Sequence, residues 1–235
     1  MQVLGFFMIL GVIGIGFMEK PHGQISFFDI YALGMILSGV IGAVLLGSKP
    51  KDFIKTFTVL REFIPFLGKY DQTTKKMEAE RRQLEQLWLQ GKRSEAIQMA
   101  EKSPHSSTRE ILEQIAARAS VALTENRFTA LTHEANDEHD TSVANWEMMA
   151  KLGPSFGMVG TITGMIQLFK TFGSGSSDLG TSMSLALLAT LYGIAFGAGI
   201  AAPIANFILR LMNDRISVIE RCEKTTRQLV SMGEN

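Results

Sequence analysis

The chain has 235 residues, 46% of them hydrophobic, with 22 Gly, 15 Phe and 13 Met, and a mean hydropathy of +0.14. That mix describes a membrane protein with a substantial polar part. Twenty-three basic residues balance 23 acidic ones, so net charge argues for no nucleic-acid partner; one cysteine, Cys222, excludes a disulfide framework and a cysteine–histidine metal cluster.

In chain order, Val3 to Met18 is an uncharged run. No basic stretch precedes it and no small-x-small site ends it, so it is expected to be a short first span, not a cleaved signal. Glu19 to Ser26, with Pro21 and Gly23, is a polar turn. Phe27 to Gly47 is a second span, with Asp29 at its water-facing end.

Residues 48–151 hold 16 Lys/Arg and 16 Asp/Glu, which makes this segment a folded polar domain. Phe53, Phe57, Leu60 and Ile64 recur at helical spacing beside Lys51, Lys55 and Arg61, the pattern of an amphipathic helix lying on a membrane surface. A second helix is expected from about Thr73 to Gln90, capped by Thr73 or Thr74, stopped by Gly91, and apolar along Met77, Leu84, Leu87 and Trp88. A short helix follows from Ser94 to before Pro104. Ser107 and Glu110 fit a capping box, and no Gly or Pro interrupts Thr108 to Leu152. One helix of about 45 residues, roughly 65 Å long, is expected there.

Leu152 to Phe169 carries no charged residue, and neither does the longer run from Leu179 to Leu209. A bilayer core takes about 20 apolar residues as a helix, so both can span, joined by the turn Lys170 to Asp178. Gly153, Gly157, Gly160 and Gly164 fall on one face of the first. Ala189, Gly193, Gly197 and Ala201 are four apart on the second. Small stripes of this kind let helix backbones approach closely in lipid. Each span also holds a proline, Pro154 and Pro203, which frees a carbonyl and kinks the axis. Hydroxyls add to the stripe: Thr161 and Thr163 on one span, Thr190 on the other. The plainer role for each threonine is a bond to the carbonyl one turn back. Together, glycine, hydroxyl and freed carbonyl make a surface for a small cation or a partner helix. Neither run contains an ionisable residue, so a carboxylate for an ion path must come from another chain.

Basic residues near the span ends set the orientation. Lys49, Lys51, Lys55 and Arg61 follow the second span and Arg210 and Arg215 the last, against Lys20 and Lys170 in the short loops. The positive-inside rule puts 48–151 and both termini in the cytoplasm. The expected fold is an all-α integral membrane protein of four transmembrane helices, with a helical cytoplasmic domain between spans two and three. Its parts are 1–47, 48–145, 146–210 and a C-terminal cytoplasmic helix, 211–235.

Pro154-Ser-Phe-Gly-Met-Val-Gly-Thr-Ile-Thr-Gly164 resembles the third transmembrane helix of flagellar stator proteins of the MotA and PomA type. Leu179-Gly-Thr, Ala186-Leu-Leu-Ala-Thr-Leu-Tyr-Gly193 and Pro203-Ile-Ala205 resemble the fourth. The resemblance covers the stretch from Trp146 to Arg210 and extends to the wider superfamily with ExbB and TolQ. It implies a multi-pass protein of the bacterial inner membrane, with no enzymatic activity and no cofactor or bound metal beyond the transported H+ or Na+. Five copies would surround two single-span helices of a MotB-like, peptidoglycan-binding partner that supplies the ion-binding aspartate. Pro154, Gly157, Thr161, Gly164, Thr190, Tyr192, Gly193 and Pro203 would then line the ion path or the partner contact. Hydroxyls at 161 and 190 resemble the sodium type. Proton-driven ExbB and TolQ relatives keep them too, so both ions stay open. Stators present charge from the cytoplasmic domain to a rotor, and Lys75, Lys76, Glu80, Arg81, Arg82 and Glu85 are the candidates here. The family's arginine–glycine–leucine–glutamate pattern is absent there; a solvated face with i,i+4 pairs is the plainer reading.

The alternatives are an ExbB/TolQ-like energiser, whose three-span layout differs, and a passive scaffold, which would not need Thr161 or Thr190. His22, His105, His133 and His139 are scattered and share no site. Glu147 and Lys151, four apart, form an ion pair at the mouth of the third span or gate it. No catalytic motif is present.

Overall fold

The computed structural model describes residues 30–60, 70–117, 119–137, 139–173 and 179–233. The expected first span, His22, Asp29, Arg61 and Ile64 lie outside them. The described residues form helices and connections, with no strand among them. The chain divides into two compact units, one of Met1–Thr58 and Ser142–Asn206, the other of Val59–Thr141 and Phe207–Asn235.

In the first unit α1 is Ile30–Gly47 and α2 is Pro50–Thr58. α7 is Asp140–Gly173, α8 is Leu179–Phe196 and a π-helical turn covers Gly197–Ala201; α9, Ala202–Gly233, starts in this unit and belongs from Phe207 onward to the second. α1 buries Ala32, Ile36, Val40 and Val44, four apart on one face. Gly39 leaves room there for the Phe156 ring, and Gly160 for the end of Met35. Lys170 to Gly173, expected in a turn, instead continue α7. Among the described residues one helix, Ser182–Ser231, is long and apolar enough to cross a membrane; Ala32–Gly47 is apolar and shorter.

The π turn has a cause in the sequence. Pro203 has no N–H for the carbonyl of Gly199, and its ring crowds that oxygen. The helix relaxes upstream to a five-residue spacing, where Ala202 N–H donates to Gly197 O.

A buried polar joint holds α2 to the start of α7. Ser48 donates to Asn145 Oδ1 at 2.7 Å, and Asn145 Nδ2 donates to Thr56 Oγ1 at 2.7 Å. Thr56 donates in turn to the Asp52 carbonyl at 2.8 Å, and Trp146 Nε1 donates to the Thr56 carbonyl at 2.9 Å. Phe57 stacks edge-on against Trp146, their centroids 5.9 Å apart.

The second unit contains α3 (Tyr70–Leu89), α4 (Arg93–Lys102), α5 (Ser106–Ala116) and α6 (Val121–Asp137). Its core joins Met77 and Leu84 of α3, Ile111 and Ile115 of α5, and Phe128 of α6 to Val218, Ile219, Cys222 and Leu229 of α9. The C-terminal helix is therefore part of this core.

Three sequence expectations fail here. The single helix from Thr108 to Leu152 is broken into α5, α6 and α7. At the first break Ala119 N–H reaches back to Gln114 O, and Ser120 Oγ accepts from Leu123 N–H, so Ser120 caps α6. At the second, His139 N–H bonds to Asn136 O in a turn and Asp140 opens α7. The capping box of Ser107 and Glu110 is absent: Ser107 is buried inside α5, and Glu110 instead accepts from Gln114 at 2.6 Å. Thr73 and Thr74 are not caps, because α3 begins at Tyr70. Gly91 does stop that helix region, at φ +77°, a conformation that favours glycine.

Candidate functional site

The α7 and α8 helices meet through bare backbone. A Cβ at Gly153 would lie 2.7 Å from the Gly193 carbonyl oxygen, and one at Gly193 would lie 2.8 Å from the Gly157 Cα. At Gly164 it would lie 2.7 Å from the Ala186 Cβ, and at Gly197 2.7 Å from Cδ of Pro154. No larger side chain fits at these crossings. The glycine stripes therefore set the spacing of the two helices, and the Pro154 ring seats against the first residue of the π turn.

Held at that distance, two hydroxyls meet. Thr161 Oγ1 and Thr190 Oγ1 are hydrogen-bonded to each other. Thr161 also donates within reach of the Gly157 carbonyl, at 3.2 Å, and of the Ala186 carbonyl across the helix pair, also at 3.2 Å. Thr190 lies 3.5 Å from the same Ala186 oxygen, one turn back on its own helix. Two hydroxyl protons thus serve four contacts, leaving lone pairs on two hydroxyl and two carbonyl oxygens around one point. Back-bonding and a polar cluster coexist here. The cluster is half-buried and carries no charge. Thr163 faces elsewhere, donating to Val159 O at 2.9 Å.

The structure brings Gly157, Thr161, Gly164, Thr190 and Gly193 into one seam, with Pro154 at one end of it. Pro203 lies just past the π turn that it causes. Tyr192 is buried and, two residues after Thr190, points roughly 200° away round the helix. Sequence reasoning does not single out Ala186, although an alanine one turn before a helical threonine is where that hydroxyl's acceptor lies. The other face of the pair is apolar and exposed: Met158, Ile162 and Phe169 on α7, Met183, Leu187 and Ile194 on α8. Glu147 and Lys151 form an exposed pair at 3.6 Å.

The charged candidates of α3 separate into two groups. Arg81 is turned inward, 12% exposed, on Glu78 at 2.9 Å, Glu85 at 2.9 Å and Thr225 at 2.8 Å. Glu78 also binds Arg82 at 2.8 Å and Arg221 at 3.2 Å. The Arg81 hydrogen bond outweighs burial and, with Arg82 and Arg221, holds the Glu78 carboxyl down at about 2. Glu80 accepts from Ser103 at 2.6 Å and Thr108 at 3.0 Å, with His105 at 3.8 Å. Arg81 and Glu80 thus stitch the unit together. Lys75, Lys76 and Arg82 remain exposed, with Glu85 half-exposed. A cleft of about 450 Å³ opens beside them, lined by Lys75, Glu78, Arg82, Asp214 and Arg221 among others. Burial pushes the Cys222 thiol up to about 12, which keeps it neutral. No group of three or more metal-ligating residues occurs among the described residues.

Residues 94–221 match the profile of the MotA/TolQ/ExbB proton channel family, more than half of the chain. Motility protein A of Aquifex aeolicus is 36% identical over 106 residues, covering 43% of this chain and 39% of that protein. Motility protein A of Treponema pallidum is 32% identical over 98 residues, covering 42% and 36%. The matched stretch thus spans well under half the length of these relatives. Solved structures share the fold along nearly the whole chain. The flagellar MotAB stator complex from Bacillus subtilis matches at TM-score 0.77 and 19% identity, over 97% of this chain and 88% of that one. MotAB of C. jejuni matches at 0.73 and 12%, over 98% and 89%. The uncharged, glycine-knit pair of proline-containing helices and the profile match converge: the chain belongs to the MotA/TolQ/ExbB proton channel family.

Proposed function

We propose that the chain is the MotA-like subunit of an ion-driven stator of the bacterial inner membrane. It crosses the bilayer four times, and five copies surround two helices of a single-span, MotB-like partner. The observation that carries this reading is the seam of Thr161, Thr190 and the Ala186 carbonyl in spans without an ionisable residue. Such a seam offers oxygens to a cation but no negative charge, and an ion path through lipid needs one. A partner carboxylate beside the seam completes it. When that carboxylate takes up an ion its charge is neutralised, and the ring around it steps to the next position. The exposed apolar face of α7 and α8 suits contact with such a partner helix or with lipid. The likeness to MotAB stator complexes supports a MotB-like partner. Lys75, Lys76 and Arg82 are the exposed charges that a rotor would meet.

The test is reconstitution. Liposomes holding this chain alone should conduct neither protons nor sodium, and those holding it with its partner should conduct when activated. Robust flux through the chain alone would overturn the reading. Replacing sodium by potassium at fixed membrane potential separates the ions. Loss of activity, with Thr161→Ala weakening apparent sodium affinity, assigns the seam to sodium; undiminished activity assigns it to protons.

A further inference from the structure

The elbow between α1 and α2 carries a second surface, distinct from the seam. α1 has no charged residue over its 18 residues and ends with Leu45 50% and Leu46 92% exposed. Lys49 follows, and α2 then exposes Lys51, Ile54, Lys55 and Phe57. Ile54 and Phe57 share one flank of α2, while Lys51 and Lys55, four apart, share the next. Asp52 is the one acid on α2, and it is half-buried. None of the three lysines is paired with an acidic side chain among the described residues.

The roll of α2 is fixed from beneath. Thr56 is fully buried, and the joint of Ser48, Asn145, Thr56 and Trp146 locks it against α7. A nine-residue helix on its own would not hold one orientation in water. Here three hydrogen bonds to α7 point its apolar flank and its lysine flank outward together.

We propose that this elbow docks the anionic headgroups of the leaflet where α1 ends, so that the protein selects acidic phospholipid as its neighbour. This rests on the membrane reading above. Ile54, Phe57 and Leu46 enter the acyl boundary, and the lysine stems run along that apolar surface to bring their ammonium groups to phosphate. An acidic protein segment would satisfy the lysines but leave the apolar tips wet. A neutral lipid would cover the tips but leave the lysines without counter-charge. Acidic lipid answers both, and the uncharged α1 delivers the elbow to that depth.

Trp146 is the reporter, because its indole sits on the Thr56 carbonyl beneath α2. The full chain with Trp88→Phe is reconstituted in phosphatidylcholine vesicles containing brominated phosphatidylglycerol or brominated phosphatidylcholine. Each lysine near an acidic surface contributes about a fivefold preference, so Trp146 should be quenched by the acidic lipid with at least tenfold higher apparent affinity. Lys49→Gln, Lys51→Gln and Lys55→Gln combined should bring the two lipids to near equality while leaving quenching by the neutral one unchanged. Equal quenching in the unaltered chain, or a preference that survives the triple change, would overturn the proposal and hand the surface to neutral lipid or a protein segment. Lost neutral-lipid quenching in the triple variant would also overturn it, by making the lysines structural. A chain that floats with vesicles but shows no preference fails this proposal alone; one that never floats fails the membrane reading as well.

Discussion

In the first unit α7 and α8 meet through bare backbone; in the second, α3 meets α9 through full side chains and charge. At Gly153 and Gly193 the contact atoms are carbonyl oxygens and Cα carbons. Between α3 and α9 they are the Arg221 guanidinium on Glu78 and the Arg81 guanidinium on Thr225, over a core of Leu84, Val218 and Cys222. The difference follows from the solvent each surface suits. In lipid, apolar side chains gain nothing by leaving their surroundings, so close backbone packing does the holding. In water, apolar burial drives the core and a rim of paired charge completes it.

The harshest way to break the comparison is Gly153→Leu or Gly193→Leu. The added side chain meets backbone that cannot move aside, and about 3 kcal/mol is expected, the upper end for overpacking. Gly34→Leu on α1 is the control, since nothing lies within 4 Å of a Cβ there. Denaturation of the detergent-solubilised chain, followed by helicity, measures both. Equal losses at the two sites would mean that bare-backbone packing is not what holds α7 to α8.

Glu78→Gln attacks the other region. It takes the negative charge and one acceptor oxygen from the partner of the inward-facing Arg81, at a cost of about 1–3 kcal/mol. The single cysteine reports it: alkylation of Cys222 at pH 8 should be slow in the folded chain and markedly faster in the variant. Acid gives the second readout. A carboxyl held at about 2 when folded, against an ordinary 4.5, stabilises the fold fully above 4.5 and loses that contribution as pH falls toward 2. The denaturant midpoint of the second unit should fall over that window in the unaltered chain and stay flatter in Glu78→Gln. Identical profiles would assign the acid sensitivity to other groups.

The first region is far more legible in the sequence than the second. Glycine spacing on α7 and α8 predicts their seam because glycine has no side chain to repack. The hydroxyl pair follows, since Thr161 lies four residues from Gly157 and Thr190 next to Ala189, both in the stripe. The helical content of the second unit is legible, but its joints are not. Helix breaks at Ser120, which caps the start of α6, and at His139 fall in a stretch without glycine or proline, and only tertiary contacts decide that a serine caps there. Likewise the charges of α3 look uniformly exposed in the sequence, because partners such as Thr225 and Arg221 lie far along the chain, on α9. The π turn is hidden although Pro203 is plain: a proline predicts a kink, but not which neighbouring hydrogen bonds lengthen to absorb it.

Pro203→Ala sharpens that last point. It restores an N–H to the carbonyl of Gly199, so the turn should tighten to α-helix and its amides should exchange more slowly with solvent. A gain near ~1 kcal/mol is expected, well under the proline penalty in an unadapted helix. Under the proposed stator role, the chain should still assemble with its partner while ion-driven function suffers. Unchanged exchange over residues 197–203 would mean that packing of Pro154 against Gly197, rather than Pro203, imposes the π spacing.

The smallest effect asks what the seam's hydroxyls contribute. Thr161→Val and Thr190→Val keep volume and branching and remove only the polar atom. Each alone leaves the other hydroxyl a carbonyl one turn back, Gly157 for Thr161 and Ala186 for Thr190, so each should cost under about 1 kcal/mol. The double variant should cost less than the sum by about 0.5 kcal/mol, because the Thr161–Thr190 bond is lost only once. Additive losses would mean the two hydroxyls are independent back-bonders and the oxygens of the seam do not act together. A non-additive pair that leaves stability nearly unchanged yet abolishes flux in the partner-bound complex would place their role in the ion path. In that case Thr161→Ser, which keeps the oxygen but loosens its rotamer, should restore most of the flux. If Ser fails where Thr works, geometry at the seam matters beyond the presence of an oxygen, and the methyl group that fixes χ1 belongs to the site.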